Sequence, residues 1–130
     1  MIYNLYRQLK SIADNEFYDI LISSEIIFSY SGRARKLRLY LIDETFVDIW
    51  YSVEGEYSFH WEQRGVRDAV YRHDNAPHGK WAGIKTFPKH CHDTIENNVS
   101  VSYISDKPED AIRDFMRIIR KRLLEFKSHK

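Results

Sequence analysis

Tyr57-Ser58-Phe59-His60-Trp61-Glu62 sets an aromatic ring at every second position and a polar group between. Successive side chains of a strand point to opposite faces, so this hexapeptide reads as a strand with one buried face and one polar face. Glu54-Gly55, just before it, has hairpin-turn chemistry, because glycine accepts positive φ. Residues 46–53 read as the partner strand on that side, and Asp43-Glu44 as the turn before them. Leu37, Leu39 and Leu41 alternate with Arg38, Tyr40 and Ile42 to give a further strand. Residues 17–30, rich in Ile, Phe and Tyr, give the first, ending at Ser31-Gly32. On the other side Arg64-Gly65 reads as a turn and residues 66–73 as the return strand, and Val99, Val101 and Tyr103 as a last short strand. Connections this short join antiparallel neighbours. The expectation is an α+β fold, an antiparallel meander of about five to six strands with a helix at each end of the chain packed on the sheet.

The two helices announce themselves differently. Ile2, Leu5, Tyr6, Leu9, Ile12 and Ala13 recur at spacings of three and four, with Asp14-Asn15 as the stop. At the other end, Asp106 reads as the N-cap, Pro108 suits the first turn, and Glu109 completes a capping box. Ile112, Phe115, Met116, Ile119 and Leu123 form the buried stripe, and Arg120, Lys121, Arg122 and Lys127 crowd the C-terminal turns, where cations complement the helix dipole.

The 130 residues suit one domain spanning 1–130, and 43% hydrophobic residues suffice for a core. A net charge of +1 gives no global pull toward a polyanion, so any nucleic-acid surface must come from local clustering. No apolar run approaches the ~20 residues of a membrane span, and the polar N-terminus lacks a secretory signal. The single cysteine, Cys91, excludes an internal disulfide and suits a reducing cytoplasm. Oligomeric state is left open, a homo-oligomer included.

Residues 75–98, punctuated by Pro77, Gly79, Gly83 and Pro88, read mostly as loop, and a loop that long in a small domain is commonly functional. Five of the six histidines fall between positions 60 and 92: His60, His73, His78, His90 and His92. Any one of them is as readily a solvated or turn-forming residue; it is the clustering, with Arg72 and Asp74, that points to chemistry near neutral pH. If Arg64-Gly65 is an even-numbered turn, His60 shares a face with Ala69, Tyr71 and His73, while Arg72 falls on the face of Tyr57.

Tyr71-Arg72-His73-Asp74-Asn75-Ala76-Pro77-His78, followed by Phe87-Pro88-Lys89-His90-Cys91-His92, resembles the signature of the TumE family, also filed as a domain of unknown function. Tyr57-Ser58-Phe59-His60-Trp61 and a closing helix after Ser100 agree with it, so the resemblance covers roughly residues 37 to 125. Residues 79–86, between the paired elements, are a variable loop in the family and are short and basic-aromatic here. The resemblance implies the toxin half of a type II toxin–antitoxin pair in the cytoplasm, with a cognate helix-turn-helix antitoxin as partner. It implies a role and not a reaction.

Two chemistries fit the residues. A metal-independent ribonuclease needs an acid, a base and positive charge on the phosphate. His78, His90 and His92, with Asp74 and Arg72, are the catalytic candidates; His60, His73, Lys80, Lys85 and Lys89, with Trp81 to stack on a base, are the substrate-contacting ones. That reading takes no cofactor. Alternatively Asp74, His78, His90 and His92 bind a divalent metal, since His90-x-His92 puts both rings on one side of an extended segment. Cys91 alternates away from both rings and reads as a small apolar residue. A third reading is a binding module that holds protein or nucleic acid without cleaving it.

Overall fold

The computed structural model describes residues 2–128. Helix α1 (Ile2–Glu16) leads into strands β1 (Leu21–Phe28), β2 (Ala34–Leu41), β3 (Phe46–Tyr51) and β4 (Tyr57–Glu62). A single helical turn, α2 (Arg64–Arg67), precedes β5 (Val70–Asp74). A short 3-10 turn (Gly79–Trp81) lies between β5 and β6 (His90–Thr94), and β7 (Val99–Val101) and α3 (Pro108–Ser128) complete the chain. All seven strands form one antiparallel sheet in the order β1 to β7, each paired with its sequence neighbour. No described helix is long and apolar enough to cross a membrane.

Period-two alternation divides this sheet. Leu37, Leu39, Val47, Ile49, Phe59 and Trp61 share one face and are fully buried there beneath the two helices. Helix α3 contributes Ile112, Phe115, Met116 and Ile119, with Phe115 packed on Phe59 and Tyr71. Helix α1 contributes Tyr6, Leu9 and Ala13. The Tyr6 hydroxyl donates to the Arg35 carbonyl at 3.0 Å and accepts from the Tyr51 amide at 3.0 Å, which ties α1 to the ends of two strands. As expected, Tyr57, Phe59 and Trp61 are buried while Ser58, His60 and Glu62 are less so. The Trp61 indole N–H donates to Thr45 Oγ1 at 2.8 Å, so even its polar atom is satisfied in the core.

The structure departs from the sequence reading in three places. The sheet has seven strands rather than five to six, because residues 90–94, read as loop, form β6. The Arg64-Gly65 turn is the α2 helical turn, inside a connection of residues 63–69 closed by Asp68 in the left-handed conformation at φ 52°. That connection has an odd number of residues, so the parity inverts: His60 pairs with Arg72 and Phe59 with His73. His73 therefore points into the core, and Arg72 takes the outer face with His60. Helix α3 starts at Pro108, within two residues of Asp106, but the capping bonds differ from the expected box. Ser105 Oγ accepts from the Lys107 amide at 3.1 Å, and Asp106 instead meets Lys89 Nζ at 3.2 Å.

Core His73 is held by two hydroxyls. Nδ1 bonds Ser102 Oγ at 2.6 Å and Nε2 bonds Tyr71 Oη at 2.7 Å, with Phe115 edge-to-face on the ring. Burial, reinforced by the charge of nearby Arg122, pushes its pKa down to about 4, so the ring is neutral in the fold.

Trp61→Ala removes the largest fully buried side chain, and urea unfolding should show a loss of about 3–5 kcal/mol; a change below about 1 kcal/mol would put Trp61 outside the core. His73 has a pH signature. The unfolded chain takes up this proton near pH 6.5 and the folded chain only near 4, so stability is complete above the unfolded value and falls as pH drops between the two. That loss should reach about 3 kcal/mol and be absent in His73→Gln. Equal slopes of stability against pH in wild type and variant would contradict the buried, neutral ring.

Candidate functional site

The β5–β6 register sets Asp74 directly opposite His90 and Arg72 directly opposite His92. All four side chains project from the face turned away from α3, since residues two apart on a strand share a side. Arg72 Nε donates to Asp74 Oδ2 at 3.0 Å, and the Ala76 amide donates to Asp74 Oδ1 at 3.0 Å. The other end of the guanidinium grips Glu96 through two parallel bonds of 3.0 and 2.9 Å.

The tautomers of both rings follow from their acceptors. His90 Nδ1 lies 2.8 Å from the Pro88 carbonyl oxygen, and His92 Nδ1 lies 2.7 Å from that of Glu96. A carbonyl only accepts, so each Nδ1 carries the hydrogen and donates it. Each Nε2 is then the basic nitrogen, and both face the same carboxylate. His90 Nε2 stands 3.1 Å from Asp74 Oδ1 and His92 Nε2 stands 3.8 Å from Asp74 Oδ2. The rings meet edge-to-face at 4.9 Å and pack against Trp81 at 6.3 and 6.0 Å. His90 is 2% exposed and His92 4%, while the Arg72 side chain stays part-exposed at the rim of the cluster. Burial holds the His92 imidazole below its ordinary pKa, with Arg72 acting in the same direction and the bond to Glu96 opposing it.

Among the described residues, Asp74, His90 and His92 are a group placed so that it could hold a metal ion, their ligand atoms all within 4.8 Å of one another. His78 is not part of it. His78 is exposed, its Nδ1 accepts from the Lys80 amide at 3.3 Å, and its ring packs 6.4 Å from Trp81. Lys80 Nζ lies 4.8 Å over the Trp81 ring, and Lys85 is exposed on the same connection. His60 shares the outer row with Arg72 and His92, and its Nε2 lies 3.2 Å from Glu62. Two substrate-contacting candidates lie elsewhere. His73 belongs to the core, and Lys89 is committed to the Ile104 carbonyl and Asp106 at the start of α3. Cys91 sits on the core face opposite His73, and burial raises its thiol to about 11, which leaves it protonated and unreactive.

Sequence reasoning missed Glu96, whose carbonyl fixes His92 and whose carboxylate holds Arg72. Nothing in its local pattern marks it. It also missed the reach of Asn75, whose Oδ1 accepts from the Tyr57 amide at 2.9 Å while Nδ2 donates to the Gly55 carbonyl at 3.1 Å. Asn75 thus clamps the start of the loop to the neighbouring hairpin.

A family model described as toxin TumE matches residues 8–123, nearly the whole chain, and the chain belongs to that family. The match takes in most of α1, which the paired motifs alone did not cover. No curated protein and no solved structure matches the chain.

Proposed function

We propose that this member of the TumE toxin family cleaves RNA, that a helix-turn-helix antitoxin restrains it, and that Asp74, His90, His92 and Arg72 are its reacting centre. A toxin family implies an antitoxin partner; the antitoxin's class and the reaction are the proposal. The observation that carries it is the cluster itself: a carboxylate, a guanidinium and two imidazoles of fixed tautomer, gathered by one pair of strands. Burying so many ionisable groups together is unfavourable, and groups gathered at such a cost are characteristic of functional sites. Phosphodiester cleavage needs what they offer, a proton acceptor for the attacking oxygen and positive charge for the pentacoordinate phosphate.

RNA as substrate is supported by the surrounding surface. Trp50, 41% exposed, begins a cross-strand row that continues through Ser58 and Asp74 to His90. At about 4.8 Å per strand, Trp50 lies roughly 10 Å from Asp74, within one or two nucleotides of a bond cut there. Lys80 and Lys85 add positive charge on the loop beside Trp81. A scheme with one histidine as base and the other as acid sets the rings on opposite sides of the phosphate. The convergence of both Nε2 atoms on one carboxylate favours action at a single point instead.

Purified toxin should cut single-stranded RNA, and Asp74→Asn, His90→Ala and His92→Ala should each slow cutting by about 10²–10⁴ per folded molecule. The same variants should relieve growth arrest while still binding the antitoxin. If wild type binds RNA without cutting it, and the variants arrest growth as before, the protein is a binding module and the ribonuclease reading fails.

A further inference from the structure

We infer that Asp74, His90 and His92 bind one divalent transition-metal ion of the zinc or manganese kind, through the two Nε2 atoms and the Asp74 carboxylate. The inference deepens the ribonuclease proposal and rests on the same reading of the cluster as the reacting centre, although ion binding is measured apart from cleavage.

The strongest reason is the direction of the lone pairs. With each Nδ1 hydrogen given to a backbone carbonyl, the lone pairs of both Nε2 atoms face a carboxylate at 3.1 and 3.8 Å. Lone pair against anion is repulsive unless a cation lies between. A proton relieves one ring and leaves the other facing the same carboxylate, whereas a metal ion accepts both nitrogens and the oxygen together. Carbonyl groups that fix the tautomer from behind are a recurring support for metal-bound histidines. Asp74 retains the capacity to bind: Ala76 takes one acceptor position on Oδ1 and Arg72 one on Oδ2, leaving a lone pair on each oxygen.

The separations fit as well. Ligands 2.0–2.1 Å from a metal stand about 2.9–3.4 Å apart in octahedral or tetrahedral shells. The donors here are 3.1 to at most 4.8 Å apart, so slight inward motion of the rings closes the shell. Two imidazoles and one carboxylate suit zinc, manganese or iron better than magnesium or calcium, which prefer oxygen. Three protein ligands also leave coordination positions for water and substrate, and a bound ion lowers the pKa of such a water toward neutrality.

The test uses untagged full-length protein, stripped with chelator, dialysed and titrated with zinc or manganese chloride by calorimetry. One ion per chain is expected, with a rise in melting temperature and proton release on binding. Asp74→Asn and His90→Gln should weaken binding by about 100-fold or more, whereas His78→Ala should leave it unchanged. Circular dichroism checks that the variants fold, and the visible spectrum of the cobalt-loaded wild type reports nitrogen–oxygen ligation without relying on any variant. No saturable binding, or binding indifferent to Asp74→Asn and His90→Gln, overturns the inference. Absence of ion binding together with cleavage by ion-free protein overturns it while sparing the ribonuclease proposal. An ion bound at the cluster without any cleavage supports it and removes the ribonuclease.

Discussion

The outer face of this sheet is polar because the inner face is not. Helices α1 and α3 cover one side, and at the centre of the sheet the residues of that parity are dry: leucines on β2, valine and isoleucine on β3, aromatics on β4. Residues of the other parity are free to carry charge, provided they neutralise one another. They do so where they meet: Asp48 with Arg38 and Lys36, Asp74 with Arg72. The cluster at β5 and β6 is the far end of this pattern, and its composition depends on which parity each residue takes.

The three buried histidines show how much that choice decides. His73, one position before Asp74, faces inward and finds two hydroxyls and a phenyl ring, an environment that satisfies a neutral imidazole and asks nothing further. His90 and His92, on the next strand, face outward and find carbonyls behind and a carboxylate in front. Cys91, between them, faces inward again, into surroundings that raise its pKa. One residue of slip in β5 would exchange His73 for Arg72 and place an unpaired guanidinium in the core, so the register is fixed by energies far larger than those of the turn.

This explains what the sequence disclosed. The Tyr57–Glu62 alternation and the α3 stripe were legible because their hydrophobic periods are clean. The sixth strand was not, because His-Cys-His-Asp-Thr has no apolar face; it is buried by polar partners supplied from other segments. The motif His90-x-His92 and its link to Asp74 and Arg72 could be read, but the side taken by Arg72 and His73 could not. That side depended on an odd-length connection whose helical turn and left-handed Asp68 leave no periodic trace. The fit of His78, Lys89 and Glu96 was equally hidden, since a loop residue's partners follow from the path of the chain and not from its neighbours in sequence.

Glu96 gives the centre its remaining constraint. Its carbonyl orients His92 and its carboxylate occupies two guanidinium N–H groups of Arg72, while Asp74 takes a third. An arginine has five such groups, so two remain for a phosphate unless Glu96 withdraws. Glu96 stands in the short turn between β6 and β7, half exposed, whereas Asp74 is buried within the sheet. The two carboxylates on Arg72 therefore differ in kind: one is fixed by the β5–β6 ladder, and the other is borne by the turn that also sets the imidazole. A displacement of that turn would change the neutralisation of Arg72 and the orientation of His92 together, which couples the two functional groups through a single residue.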